Sequence, residues 1–188
     1  KETGENGGGL TYNLGAHVID QAVQLFGMPE AVFADIATLR TGGKVDDYFI
    51  IHLMKPARMP EVKITLKASY LMCENEPRFV LHGTEGSYVK YGLDPQEADL
   101  TKGMLPDTPH WGEEDESQWG ILHTETDGNV VRKPYPTLPG NYAAFYENIY
   151  QHIRNGAVLQ SDACGVLGVI RLIEAAWESS RTGNVIKL

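Results

Sequence analysis

The sequence predicts an α+β fold in which a large, mostly antiparallel open sheet carries helices on one face. Strand-like segments follow one another along the middle of the chain, without the regular alternation of strand and helix that a parallel sheet requires. Strongly periodic helical segments lie near the two ends. With 188 residues, 42% of them hydrophobic, the chain is long enough for one core-forming domain, which we place over residues 1–188.

The first predicted element is a helix over residues 10–26. Its apolar residues form two rows at helical spacing, and a narrow polar stripe runs between the rows. Asn13 and His17 lie four residues apart on this stripe, so their side chains project from the same face. Gly27 and Pro29 end the helix. This pattern is typical of a helix that is packed on two sides and keeps a polar seam.

Three strands are predicted next, at 31–40, 46–54 and 61–72, because these segments are rich in β-branched and aromatic residues. Their apolar side chains occur at both parities, so both faces of the sheet need a cover. A single layer of about three helices covers only one face. We therefore expect the chain to associate with itself through a sheet face, as a homodimer or a higher oligomer.

Two hairpins follow the three strands. Turn residues at 84–86 and at 127–128 each separate two strand-like segments. Between the hairpins, residues 92–119 are predicted to form a long excursion with one short helix near 95–102.

Two helices close the chain. The first ends at Gly156, and the second begins at an N-cap provided by Ser161 or Asp162 and ends at Gly183. The last residues, NVIKL, are predicted to add a final strand.

The composition argues against several classes of function. A formal net charge of −9 leaves no basic stripe for nucleic acid. No apolar run approaches the ~20 residues of a membrane span, so no membrane contact is expected. Cys73 and Cys164 form no CxxC pair, which favours a reducing, cytoplasmic compartment over a disulfide or zinc framework. The acidic run at 113–116 is interpreted as a solvated loop rather than a metal site.

Three consecutive glycines at 7–9 precede the first helix and invite comparison with a nucleotide-binding loop. A dinucleotide fingerprint needs G-x-G-x-x-G after a strand, but Tyr12 stands at the third glycine position, and no strand is predicted ahead of the glycines. A P-loop would need a Gly-Lys-Ser/Thr that is missing here. The residues of this chain are therefore not expected to bind a dinucleotide by themselves.

The Asn13–His17 pair has two interpretations. In one, His17 is a core histidine whose hydrogen bonds are satisfied by the neighbouring amide. In the other, His17 is a general acid/base, because the pKa of histidine lies near neutrality, and Asn13 fixes its tautomer from one turn away. Metal ligation by His17 with Asp20 or Gln21 lacks a third ligand, so no metal is expected.

Four further side chains are candidates for contact with a substrate. His110 and Trp111 are adjacent in the long excursion and could line a pocket. Tyr12 and Tyr142 lie near helix starts and could donate hydroxyl hydrogens to a polar substrate. For each of the four, an ordinary loop or packing role is the alternative.

Several segments together resemble the C-terminal domain of the glucose–fructose oxidoreductase/inositol dehydrogenase/rhizopine-catabolism (Gfo/Idh/MocA) family. The opening segment GGGLTYNLGAHVIDQAVQLFGMPE is similar to the family pattern GGG-x-x-x-D-x-G-x-H-x-x-D. The likeness continues through FVLHGTEGSYVKYGLDPQE, GNYAAFYENIYQHIRNG and GVIRLIEAAWESS, so it covers nearly the whole chain. These segments most resemble the scyllo-inositol dehydrogenase-like branch.

The resemblance implies an NAD(P)-dependent oxidoreductase of sugars, cyclitols and related polyols. NAD or NADP would be bound mainly by an N-terminal Rossmann domain that is absent from this chain, so the chain alone is expected to bind no cofactor and to be inactive. The motif histidine maps onto His17, the expected acid/base for the substrate hydroxyl. Gly8 and Gly9 would let the backbone approach cofactor and substrate closely.

Asn13 departs from the family pattern, which has aspartate at this position. A carboxylate would favour a protonated imidazole, whereas an amide orients its neighbour without supplying charge. Two functions therefore stay open. The chain is either the substrate-binding and oligomerisation half of a dehydrogenase for a secondary alcohol of a sugar, inositol or related polyol, or a non-catalytic binding or assembly module of the same fold.

Overall fold

The computed structural model describes residues 7–188. In chain order, the helices are α1 (Ala16–Phe26), α2 (Gln96–Thr101), α3 (Ala143–Asn155) and α4 (Ala163–Thr182), and the strands are β1 (Pro29–Ala37), β2 (Tyr48–Pro56), β3 (Ile64–Ser69), β4 (Phe79–His82), β5 (Gly86–Lys90), β6 (Gly120–Thr126), β7 (Asn129–Tyr135) and β8 (Ile186–Lys187). A π-helical turn at Thr11–Gly15 leads into α1. The expectation that no strand precedes the glycines concerns residues 1–6, which lie outside the described residues.

These elements form two compact units. One contains the residues up to Cys73 together with Ser161–Leu188, and the other contains Glu74–Gln160. The prediction of a single domain over residues 1–188 stays a prediction.

A four-stranded antiparallel sheet of order β3-β2-β1-β8 forms the centre of the first unit. Val32 of β1 lies opposite Leu53 of β2. Residues of β2 alternate between core and surface, since apolar side chains of one parity are buried and those of the other are partly exposed. Helices α1 and α4, together with Leu10 ahead of the π-helical turn, complete the core of this unit. It includes Leu10, Ile19, Val32, Phe49, Ile51, Leu53, Leu172 and Ile173, and each such side chain contributes about 1.5–3 kcal/mol on full burial.

The second unit is built around an antiparallel sheet of order β4-β5-β6-β7. No hydrophobic side chain among its described residues is buried, whereas Gln96 is 0% exposed. Apolar side chains lie at its surface instead, among them Val80, Val130, Tyr146 and Ile153. Hydrogen-bonded ladders and buried polar groups, rather than an apolar core, therefore define this unit.

The α+β class with antiparallel sheets is confirmed, but the strands are divided between two sheets instead of forming one large sheet. The predicted strand at 61–72 is shorter, because Ser69 Oγ accepts the Leu71 N–H at 3.0 Å and turns the chain out of the ladder. Pro77 lies in the segment that follows and has no N–H to extend a ladder.

The predicted helix ends are confirmed in detail. The Asp162 carboxylate accepts the Gly165 N–H at 2.8 Å, which caps α4, and Gly183 ends the same helix with a φ of 69°. Gly27 ends α1 and Gly156 ends α3, both at positive φ. Among residues 7–188, no helix has both the length and the apolar character that a membrane crossing would need.

Candidate functional site

The π-helical turn that carries Tyr12 and Asn13 is held by the carboxylate of Asp46. Asp46 Oδ2 accepts the Thr11 N–H at 2.6 Å and the Thr11 hydroxyl at 2.7 Å. Asp46 is only 3% exposed and Thr11 is fully buried. Hydrogen bonds to an ionised acceptor are shorter and stronger than neutral ones, so this contact fixes the start of the turn. Single π-helical turns inside helices are frequent at functional sites.

The same carboxylate leaves no space for a side chain at Gly9. A Cβ atom at this position would lie 1.7 Å from Asp46 Oδ1, and the φ of Gly9 is +92°. By contrast, a Cβ atom at Gly7 would meet nothing within 4 Å. The close approach of the Asp46 carboxylate to the Gly9 backbone therefore requires a glycine at this position, whether or not a ligand is bound. The predicted approach of Gly8 and Gly9 to a cofactor stays a prediction.

Asn13 and His17 both lie on the exposed surface of the first unit. The exposure of His17 overturns the interpretation as a core histidine. Asn13 Nδ2 donates a hydrogen bond at 3.3 Å to the phenol oxygen of Tyr70. The amide hydrogen thus goes to a residue 57 positions away and not to the neighbouring imidazole, so the expected fixing of the His17 tautomer by Asn13 gains no support here.

Tyr12 is turned toward α4, where its hydroxyl donates a hydrogen bond to the carboxylate of Glu174. Burial, and then the neighbouring Glu174 carboxylate, raise the pKa of Tyr12 to about 12. The phenol therefore stays protonated at neutral pH and its hydrogen is already engaged. Tyr12 anchors the π-helical turn to α4, and its predicted contact with a substrate stays a prediction.

The dipeptide Asp46–Asp47, just ahead of β2, connects the parts of this surface. The carbonyl oxygen of Asp46 accepts the Leu10 N–H at 3.0 Å, and that of Asp47 accepts the Tyr70 N–H at 3.0 Å. The buried Asp47 carboxylate accepts the Leu39 N–H at 2.7 Å and contacts Arg40 through its backbone and its guanidinium. The Leu39 amide and the other bonds hold the pKa of Asp47 below its usual value. They also end β1 before the predicted residue 40.

The remaining predicted side chains belong to the second unit. Gln96 joins two of them, since its Oε1 accepts both the Trp111 indole N–H and the Tyr142 backbone N–H at 2.8 Å. Burial, followed by the charges of nearby acidic groups, raises the pKa of the Tyr142 hydroxyl. His110 lies apart from this network with its Nδ1 2.9 Å from Glu113 Oε2, and its side chain is 82% exposed. Trp111 and Tyr142 are thus brought together through Gln96, while His110 pairs locally.

One part of the acidic run at 113–116 differs from the prediction of a solvated loop. The Glu114 side chain is 6% exposed and binds Lys90 Nζ at 2.7 Å. The Lys90 ammonium also donates to the Gln118 carbonyl oxygen at 2.9 Å. Glu114 therefore ties the long excursion to β5, whereas Glu113, Asp115 and Glu116 are exposed as predicted.

Neither a metal cage nor a dinucleotide cradle is formed by the described residues. Within residues 7–188, no group of three or more His, Cys, Asp or Glu side chains is arranged to hold a metal ion. A pyrophosphate cradle is built on a strand–helix–strand unit with parallel strands, whereas every strand pair described here is antiparallel. The space beside Gly9 is filled by Asp46. The described residues therefore do not form a Rossmann-type pyrophosphate cradle. That NAD or NADP is bound mainly outside this chain stays a prediction.

The fold described above is that of an α/β domain that is known from a family of oxidoreductases. The model of the oxidoreductase family's C-terminal alpha/beta domain matches residues 1–188. The chain belongs to the Gfo/Idh/MocA family.

Known proteins of the family support this assignment at high coverage. The chain is 36% identical over 180 residues to scyllo-inositol 2-dehydrogenase (NADP(+)) IolW of Bacillus subtilis, which covers 96% of this chain and 49% of that protein. A crystal structure of a candidate oxidoreductase from Bacteroides fragilis superposes with a TM-score of 0.91 at 62% identity, and the match covers 96% of this chain and 54% of that one. The chain thus spans about half of the length of these relatives.

A more distant structure shares the fold alone. An oxidoreductase from Agrobacterium radiobacter, crystallised with NAD+, L-tartaric acid and magnesium, matches with a TM-score of 0.62 at 17% identity. That match covers 95% of this chain and 48% of that one.

Proposed function

We propose that this chain is the substrate-binding and oligomerisation half of an NAD(P)-dependent dehydrogenase that acts on a secondary alcohol of a sugar, inositol or related polyol. The observation that carries the proposal is the exposed Asn13 and His17 on a rigidly held turn and helix. The resemblance to the Gfo/Idh/MocA pattern places the motif histidine at His17 and the motif aspartate at the position of Asn13. The 36% identity to a scyllo-inositol 2-dehydrogenase supports a polyol as the substrate. The free, exposed thiols of Cys73 and Cys164 are consistent with our proposal of a cytoplasmic location.

His17 is proposed to hold and move the hydroxyl proton of the substrate. An imidazole changes its charge near neutral pH, so it accepts this proton during oxidation and returns it during reduction. Asn13 is proposed to orient the reacting hydroxyl, while the substrate contacts predicted for Tyr12, and separately for His110, Trp111 and Tyr142 of the second unit, stay predictions. NAD or NADP, held mainly by residues outside this chain, would accept or donate the hydride.

The full-length polypeptide that contains residues 1–188 provides the test. It is incubated with scyllo-inositol and a panel of other cyclitols and aldoses, with NAD+ or NADP+, and the reduced nicotinamide is followed by absorbance. Turnover of a polyol supports the proposal. Binding of a polyol without turnover would instead favour the non-catalytic module, which the amide at Asn13 makes the second candidate. If the polypeptide neither binds nor turns over any polyol of the panel, the polyol proposal is contradicted.

We expect residues 1–188 alone to show no dehydrogenase activity and no measurable affinity for NAD+ or NADP+. The physical reason is that the described strands are antiparallel and offer no cradle for a pyrophosphate. Isothermal titration calorimetry of this chain, with the full-length polypeptide as the positive control, measures the affinity. Micromolar binding to residues 1–188 would contradict the expectation.

Self-association through a sheet face is also proposed. On β2, Phe49, Ile51 and Leu53 lie in the core, while Ile50 and Met54 of the opposite parity stay partly exposed. Partly exposed apolar side chains on the outer face of a sheet are candidates for an interface, and an isologous sheet-to-sheet contact is the simplest way to cover them.

We expect Ile50→Glu to shift the protein from dimer to monomer, because the substitution places a charge in the proposed apolar contact. Sedimentation velocity at tens of micromolar protein would measure the shift. The matched control is Leu39→Glu, which alters a side chain that is 54% exposed in the turn after β1. A stable monomer before substitution, or equal effects of the two variants, would contradict the assigned face.

A further inference from the structure

Tyr70 adjoins the predicted site, although nothing in its local sequence marked it as a candidate. It directly follows β3, it is 50% exposed, and its phenol oxygen accepts the hydrogen bond from Asn13 Nδ2 at 3.3 Å. The π-helical turn and the end of β3 thus bring two polar side chains together at the surface of the first unit.

The position of the Asn13–Tyr70 pair is set by two adjacent residues, Asp46 and Asp47. Asp46 holds the π-helical turn through its carbonyl oxygen and its carboxylate, and the Asp47 carbonyl oxygen accepts the Tyr70 N–H at 3.0 Å. Because Asp46 and Asp47 are both buried, the two segments are fixed to the same rigid support. A pair held in this way loses little freedom when it binds a ligand.

The hydrogen-bonding capacity that remains is suited to a polyol. Tyr70 uses a lone pair to accept from Asn13, and its own O–H hydrogen has no acceptor among residues 7–188. Asn13 Oδ1 likewise has no donor within that range. Within the described residues, the pair therefore keeps two free donor hydrogens, the Tyr70 O–H and the second hydrogen of the Asn13 amide nitrogen, beside the Asn13 Oδ1 acceptor. Neighbouring alcohol hydroxyls are able to accept from the donors and donate to the acceptor.

We propose that Tyr70 is a substrate-binding residue, which together with Asn13 forms hydrogen bonds to adjacent hydroxyl groups of the polyol. The proposal rests on the proposed function and adds to it a second hydrogen-bonding side chain for the polyol, beside Asn13. Tyr70 positions the alcohol, and the proton transfer remains with His17.

The test compares Tyr70→Phe with the unaltered full-length polypeptide, using scyllo-inositol and NADP+ as the probe pair. Removing the phenol oxygen should raise KM about tenfold and change kcat by less than about threefold, since the lost bond is present both before and during the reaction. Tyr135→Phe is the matched control, because Tyr135 is 53% exposed and lies on β7, outside the predicted site. Thermal unfolding of both variants checks that the fold is kept.

An unchanged KM, or the same rise in KM for Tyr135→Phe, would overturn the role of Tyr70. A fall in the unfolding temperature with KM intact would show a structural role and overturn it equally. If the unaltered polypeptide turns over no polyol, the catalytic part of the proposed function fails, and calorimetric binding of scyllo-inositol in the presence of NADP+ still decides the question for Tyr70. Binding that is about tenfold weaker in Tyr70→Phe supports the proposal, while equal binding or none contradicts it.

Discussion

His17→Ala should lower kcat of the full-length polypeptide by about 10²–10⁴-fold, the range that general acid–base catalysis contributes. The side chain lies exposed on α1, so its removal should change the free energy of unfolding by less than about 0.5 kcal/mol. Steady-state kinetics with a polyol found active in the substrate panel, combined with thermal unfolding, would measure the two effects separately.

Three further measurements sharpen this expectation. His123→Ala, which alters an exposed histidine on β6, should leave kcat unchanged. Imidazole added to His17→Ala should restore part of the rate, because it replaces the missing proton carrier. In Asn13→Asp, a carboxylate near the imidazole should shift the pH profile of kcat/KM to higher pH. A loss of stability with full activity per folded molecule would contradict the catalytic role of His17.

Most of the element order follows from local sequence patterns. The periodicity of residues 10–26 and the capping groups around α4 act over a few positions, and the structure confirms both. The π-helical turn was not predictable in this way. It depends on Asp46, which is 35 residues from Thr11 and precedes β2 without any motif of its own.

The same distinction separates the site residues that sequence analysis finds from those it misses. Asn13 and His17 are four residues apart on one helix, so their spacing reveals them. Tyr70 reaches Asn13 across 57 positions, and Gln96 contacts Trp111 across 15 positions and Tyr142 across 46, so only the folded chain shows these contacts. The one sequence signal for the support of this surface is the pair of adjacent aspartates, Asp46 and Asp47, ahead of an apolar strand. A carboxylate that is buried at such a place needs hydrogen-bond partners.

Gly9 shows that a glycine of a family motif can be required by the fold as well as by a ligand. Family resemblance implies that Gly9 allows close approach to cofactor and substrate. The structure shows that a carboxylate of the protein itself occupies the space that a Cβ would take. A glycine that is required by the fold and a glycine that is required by a ligand are indistinguishable in a sequence, since both appear only as an absent side chain.

Gly9→Ala should be strongly destabilising, and Gly7→Ala provides a matched comparison because both glycines have a φ of +92°. The backbone strain of a non-glycine residue, about 1–3 kcal/mol, is common to the two variants. Only at Gly9 must Asp46 move away, which leaves the buried Thr11 N–H and hydroxyl without their acceptor. Each unsatisfied buried group costs about 1–3 kcal/mol, so Gly9→Ala should lower the free energy of unfolding by about 2–6 kcal/mol more than Gly7→Ala.

A double-mutant cycle with Asp46→Ala isolates this contact. Once the carboxylate is gone, the new Cβ has space, and the cost of Gly9→Ala should fall to about the 1–3 kcal/mol of backbone strain expected for Gly7→Ala. Urea unfolding of the four proteins of the cycle and of Gly7→Ala gives the free energies, provided that the m-values agree. Equal costs at Gly7 and Gly9, or costs that simply add in the double variant, would mean that Asp46 does not determine the glycine at position 9.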